Sequence, residues 1–243
     1  KLSRLEGQKF LFRFEGAGTQ LGYRVGTESG MPSVEVVFNG KVYPGLWRRA
    51  EVMLDNGTPE FRFARMAEDK LLLQYTDGVQ FEFSLHGKTL QIEMNSLLEN
   101  VKSFRLGAAT SAQSELPQVL QVPMMRLRED IRWPVLSVKD GDQHFLFSIF
   151  PDWWYSMASQ FKLSEGEDGI SGIGLGSMVY EQRWRGNRNT FRERIYFTVS
   201  KRLQDVLPSP ASPVAMYRPQ MSKVEWKPDH ELPSMNLMSV KPI

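Results

Sequence analysis

The strongest constraint in this sequence is a strict alternation of apolar and polar side chains. From Val79 to His86 the chain reads Val-Gln-Phe-Glu-Phe-Ser-Leu-His, which gives an extended segment one apolar face and one wet face. Leu90 to Asn95 repeats the pattern, and only Gly87-Lys88-Thr89 separates the two runs. Glycine tolerates the positive φ that tight hairpin turns require, so the pair reads as a β-hairpin. Upstream, Leu71, Leu73 and Tyr75 share one face before Asp77-Gly78 turns the chain into Val79, which extends the hairpin to a three-strand meander.

Similar units flank it. Phe10, Phe12 and Phe14 alternate with Leu11, Arg13 and Glu15, and Ser33 to Phe38 closes on Asn39-Gly40. Arg49 to Leu54 ends at Asp55-Asn56-Gly57, Phe61-Arg62-Phe63 follows, and Val135 to Val138 turns at Asp140-Gly141 into Phe145, Phe147 and Ile149. Gly172 to Tyr180 reads as a further strand with glycines at bulges, and Phe191 to Val199 as the last strong one. Leu97 to Leu106 and Ser200 to Val206 are short turn-like stretches without a sustained helical period. About a dozen strands at turn-marked intervals predict an all-β fold, an antiparallel β-sandwich with few short helices. The expected sandwich spans residues 1–207, and the outer face of a sheet is expected to lie open to a ligand. Residues 208–243, with their Pro-Ser-Pro-Ala-Ser-Pro opening and four later X-Pro pairs, read as a linker or strap. A chain opening on Lys1 is expected to be processed, trimmed or cut from something longer.

Composition narrows the chemistry. The 243 residues are 41% hydrophobic and 24% charged, enough apolar material for a sizeable core. Thirty basic against twenty-eight acidic side chains give a charge of +2, so no chain-wide electrostatic case for nucleic acid exists. Cysteine is absent, which removes disulfides, thiol nucleophiles and thiolate zinc sites. No stretch approaches the roughly 18 apolar residues of a membrane span.

Two clusters carry recognition chemistry. Asp152-Trp153-Trp154-Tyr155, after Phe150-Pro151, places three aromatic rings beside a carboxylate. Such rings stack on the C–H faces of sugars while the carboxylate accepts hydroxyl hydrogen bonds, and the same rings also serve as core filler or as a seat for a neighbouring domain. The second cluster, Arg183-Trp184-Arg185-Gly186-Asn187-Arg188-Asn189, offers guanidinium forks to anionic or polyhydroxylated ligands, or forms a solvated turn paired to Glu181 or Glu193. Histidine is sparse: His86 ends a strand, His144 precedes an apolar run and His230 lies in the tail. No HExxH or phosphate loop occurs, and the GxGxG string at Gly172 lacks the βαβ setting of a dinucleotide site. No cofactor or metal is expected. The carboxylate pairs, such as Glu129-Asp130, nominate no glycosidase couple held about 5 to 9.5 Å apart.

Phe147 to Ser159, Gly186 to Ser200 and Asp205 to Pro210 resemble segments of large bacterial proteins from polysaccharide-degrading phyla. In those proteins a galactose-mutarotase-like β-sandwich is joined through a proline-rich linker to a catalytic barrel. The resemblance implies a carbohydrate context, a downstream catalytic domain of the same polypeptide as partner, and a periplasmic or extracellular location. It transfers no catalytic residue. Three readings stay open. In the first, a non-catalytic or accessory sandwich binds carbohydrate through Trp153, Trp154, Tyr155 or Trp184, with Asp152, Arg183, Arg185 and Asn187 orienting the ligand. In the second, the same loops dock a neighbouring domain. In the third, an epimerase-like or lyase-like sandwich uses His144 with a nearby carboxylate or tyrosine.

Overall fold

The computed structural model describes residues 1–16, 19–27, 30–47, 50–98, 100–105, 108–110, 118–123, 132–152, 159–166, 169–177 and 191–207. In chain order the strands are β1 (Leu2–Arg4), β2 (Lys9–Gly16), β3 (Thr19–Gly26), β4 (Ser33–Phe38), β5 (Lys41–Trp47), β6 (Glu51–Leu54), β7 (Phe61–Ala67), β8 (Lys70–Tyr75) and β9 (Val79–His86). There follow β10 (Thr89–Ser96), β11 (Val101–Arg105), β12 (Ala108–Thr110), β13 (Gln118–Pro123), β14 (Arg132–Asp140), β15 (Gln143–Pro151), β16 (Ser159–Gly166), β17 (Gly169–Ser177) and β18 (Phe191–Ser200). A one-turn helix, α1 (Leu203–Val206), succeeds them. The protein is an all-β antiparallel sandwich. Among the described residues no helix is long and apolar enough to cross a membrane.

A five-stranded meander, β1 to β5 in order, faces an eight-stranded sheet ordered β13-β14-β15-β18-β10-β9-β8-β7. Two smaller sheets, β11-β6 and β12-β17-β16, complete the described part. The alternation decides which side chains meet. Phe10, Phe12, Tyr23, Val36 and Phe38 of the first sheet share one buried cluster with Phe81, Phe83, Ile92, Phe145, Phe147 and Phe197 of the second. Tyr23 meets Phe197 edge-on at 5.8 Å between ring centroids, and Phe38 meets Phe145 at 4.8 Å. Edge and tilted aromatic contacts of this kind add about 0.5–1.5 kcal/mol each beyond the area they bury.

The turns behave as their residues require. Asn39 and Gly40 take φ of 47° and 82°, Asp77 and Gly78 take 54° and 71°, and Gly87 takes 57°. The two consecutive left-handed pairs and the single left-handed Gly87 match the right-handed twist of the strands they join. The β9–β10 hairpin forms in the expected register, with Leu90 opposite Leu85 and Ile92 opposite Phe83.

Two differences from the sequence expectation have physical causes. The stretch from Leu97 to Leu106 contains a strand, β11, paired to β6. A bulge between Val101 and Ser103 shifts the register, so buried Val101 and Phe104 lie three residues apart and the two-residue alternation is broken. The outer face of the eight-stranded sheet is also not open along its middle strands. Ser84, Gln91, Ser148, Thr198 and Ser200 all point away from the sandwich core, yet all are buried. Over β14 and β15 the cover is α1: the Ser148 hydroxyl donates to the Val206 carbonyl at 2.5 Å, and Val206 packs on Val135 and Leu146. The Lys88 ammonium holds the helix from the other side, donating to Asp205 Oδ2 at 2.7 Å and to Ser200 Oγ at 3.1 Å.

Candidate functional site

Strand β15 runs to Pro151, which lies opposite Ile195 of its antiparallel neighbour β18. The ladder continues one residue further, because the Asp152 amide donates to the Arg194 carbonyl at 2.8 Å. Strand β18 begins at Phe191, opposite Ser96 at the end of β10. The chain therefore leaves β15 toward residue 153 and enters β18 from residue 190 at the same end of the sheet, on adjacent strands about 5 Å apart. Trp153, Trp154, Tyr155, Arg183, Trp184, Arg185 and Asn187 lie outside the described residues. What the structure describes is the ground from which their two segments depart.

That ground is polar and closed. Asp152 is 1% exposed, and its carboxylate accepts a 3.0 Å hydrogen bond from the Tyr196 hydroxyl. Arg194, two residues before Tyr196 and on the same face of β18, reaches Asp152 Oδ2 at 3.9 Å with one terminal nitrogen and Glu93 Oε1 at 2.5 Å with the other. Gln91 completes the row on β10 and donates from Nε2 to the same Glu93 oxygen at 2.7 Å. The register explains the assembly: Gln91 lies opposite Tyr196 and Glu93 opposite Arg194, so four outward side chains of two neighbouring strands meet as one patch. Phe150 covers it from β15, its ring 4.8 Å from that of Tyr196.

Two carboxylates share one guanidinium here, in surroundings that admit little water. Burial chiefly, and then the charge and hydrogen bond of Asp152, raise the Tyr196 phenol above its ordinary value, against a smaller opposing effect of Arg194. Tyr196 is thus held as a proton donor to Asp152, and Asp152 positions the exit of β15. The Gln91 Oε1 atom is buried without a hydrogen-bond partner among the described residues. An unmatched buried acceptor costs about 1–3 kcal/mol unless a donor reaches it.

Of the residues named from sequence, Asp152 stands inside this patch. His144 stands elsewhere. It is exposed, contacts the Ser137 hydroxyl at 3.1 Å, and lies eight residues back along β15, about 26 Å from Asp152 at the rise of a strand. His86 is likewise exposed and bonded to Ser84 at 3.0 Å. No group of three histidine, aspartate or glutamate side chains among the described residues is disposed to hold a metal ion. Glu93, Gln91 and Tyr196 were not singled out by sequence. Alternation assigns each to an outward face, but the β10–β18 register that joins them spans about a hundred residues of chain and leaves no local mark.

No family model matches the chain, and no curated protein does. Among solved structures, two of a heparinase III gene product are similar to it, one with methylated lysines at 13% identity and a TM-score of 0.42, the other at 12% identity and a TM-score of 0.45. Each alignment covers 84% of this chain and 36% of the other, so the chain spans about a third of the length of the proteins it matches.

Proposed function

We propose that this chain is a non-catalytic or accessory β-sandwich of a polysaccharide-active enzyme and contacts carbohydrate by aromatic stacking. The observation that carries the reading is the shared departure point of the two recognition segments from adjacent strands β15 and β18. Trp153, Trp154, Tyr155 and Trp184 supply ring faces, while Arg183, Arg185 and Asn187 supply donors for hydroxyl and carboxylate oxygens. Asp152, 1% exposed, fixes the exit of β15 through Tyr196 and Arg194 rather than touching the ligand. Affinity electrophoresis against a panel of neutral and acidic polysaccharides tests this. Retardation by at least one polymer, lost in Trp154→Ala with an unchanged melting temperature, is expected. Uniform mobility across the panel overturns the reading.

A second reading, docking of a neighbouring domain, draws on a different observation at the same sheet end. Leu97 and Leu98, directly after β10, are 76% and 48% exposed. Adjacent apolar side chains left in water are a feature of contact surfaces. Under this reading Trp154→Ala and Leu97→Ser weaken interdomain association in the parent polypeptide and leave polysaccharide mobility unchanged.

A further inference from the structure

The five-stranded sheet carries a feature of its own. On its outer face Arg13 of β2, Gly22 of β3 and Val37 of β4 lie side by side in register. Gly22 has an ordinary strand φ, so backbone conformation does not demand glycine there. A Cβ at this position would lie 3.0 Å from Leu11 Cδ1 and 3.3 Å from the Phe12 carbonyl, so the glycine lets Leu11 pack closely against the strand. Beside this contact opens a notch of about 230 Å³ lined by Leu11, Arg13, Gln20, Gly22, Val37 and Gly40, among others.

The lining fixes the chemistry. Leu11 and Val37 present apolar walls, suited to a ring face. Arg13 is exposed, and among the described residues it has no ion-pair partner, whereas Arg24 in the next row is bonded to Glu35 at 3.0 Å. One uncompensated guanidinium with the Gln20 carboxamide beside it matches a planar carboxylate, which accepts two parallel N–H bonds from the fork. The volume lies below the about 300–1,000 Å³ of pockets that enclose drug-sized ligands, so the occupant is about one ring. We propose that the notch over Gly22 is a second binding site, which takes a carboxylate carried on a single six-membered ring. It sits on a different sheet from β15 and β18 and stands independently of what the aromatic segments bind.

Titration of the whole chain with sodium glucuronate, sodium benzoate and glucose, read by amide chemical shifts, tests the proposal. Glucuronate or benzoate is expected to shift the amides of Gly22, Val37 and Gly40 at about 20 mM, the range of a weak single-ring site, and glucose is not. Response to glucuronate alone identifies a sugar acid as the source, and response to both identifies ring carboxylates generally. Arg13 and Gln20 are exposed, so Arg13→Gln and Gln20→Glu leave folding intact, which a melting curve checks. Each is expected to weaken binding about tenfold or more, the first by removing the charge and the second by pairing with it. The proposal is overturned if neither carboxylate shifts these amides, if glucose shifts them equally, or if both variants bind as tightly as the parent.

Discussion

The Tyr23 hydroxyl, carried by the five-stranded sheet, accepts a hydrogen bond from the Val199 amide of the eight-stranded sheet at 3.1 Å. It donates in turn to the Lys88 carbonyl at 2.5 Å, in the turn where β10 begins. One phenol thus ties two sheets together and supplies partners to backbone groups near the end of the β10–β18 ladder. Tyr23→Phe keeps the ring contact with Phe197 but leaves a buried amide without its acceptor. The expected loss is about 1–3 kcal/mol of unfolding free energy, read from denaturant midpoints. A loss below half a kcal/mol, or about that, would mean water replaces the hydroxyl.

Three phenols make the fold sensitive to alkali. Burial raises the Tyr23 and Tyr196 phenols well above the ordinary value, and burial with the negative charge of Asp140 pushes Tyr43 up to about 12. The unfolded chain releases these protons near pH 10, while the folded chain keeps them. Their contribution is therefore complete below about pH 10 and declines as pH rises toward the folded values. Unfolding free energy measured from pH 8 to 11.5 is expected to be flat in its phenolic component and then to fall, less steeply in Tyr43→Phe. Equal alkaline slopes for the parent and this variant contradict the assignment.

Acid acts on a different group. The Lys88 ammonium first, and then the Ser200 hydroxyl, hold the Asp205 carboxyl below the usual carboxylate range. A depressed value stabilises the fold above about pH 4, where the unfolded carboxyl is ionised, and that contribution disappears as pH falls through the folded value. Both side chains are about a quarter exposed, so the pair contributes no more than about 1 kcal/mol. Lys88→Met is expected to lower stability by that amount at pH 7 and by less as pH falls toward 2, and thermal melts at pH 7 and 2 check it. A difference undiminished at pH 2 would assign the effect to lost packing of the lysine stem.

Much of this fold is legible in the sequence because its signal is local. The β8–β9–β10 meander follows from Leu71, Leu73, Tyr75 and their partners, and its turns from Asp77-Gly78 and Gly87, all within about 25 residues. Strands with shifted register are not legible in the same way. β5, which contains Pro44-Gly45, and β11, with its bulge after Val101, break the alternation that would reveal them. The candidate site divides likewise. Asp152 is visible because it adjoins a dense aromatic run, but its burial depends on Tyr196 and Arg194, and Glu93 reaches it through a strand pairing that no spacing rule encodes.

Arg194 is the residue on which that patch depends. Its side chain is 12% exposed, that of Glu93 14%, and that of Asp152 0%, so three charges from β18, β10 and the exit of β15 are held largely out of water. Removing one partner of a buried charge pair costs about 3–5 kcal/mol. Arg194→Met is expected to destabilise by that order. The triple variant Arg194→Met, Glu93→Gln, Asp152→Asn removes the charge altogether and is expected to recover most of the loss, because neutral amides can bond to Tyr196 and Gln91. Denaturant unfolding of the parent, the single and the triple variants decides it. If the single variant loses less than about 1 kcal/mol, the guanidinium is dispensable to the sheet end.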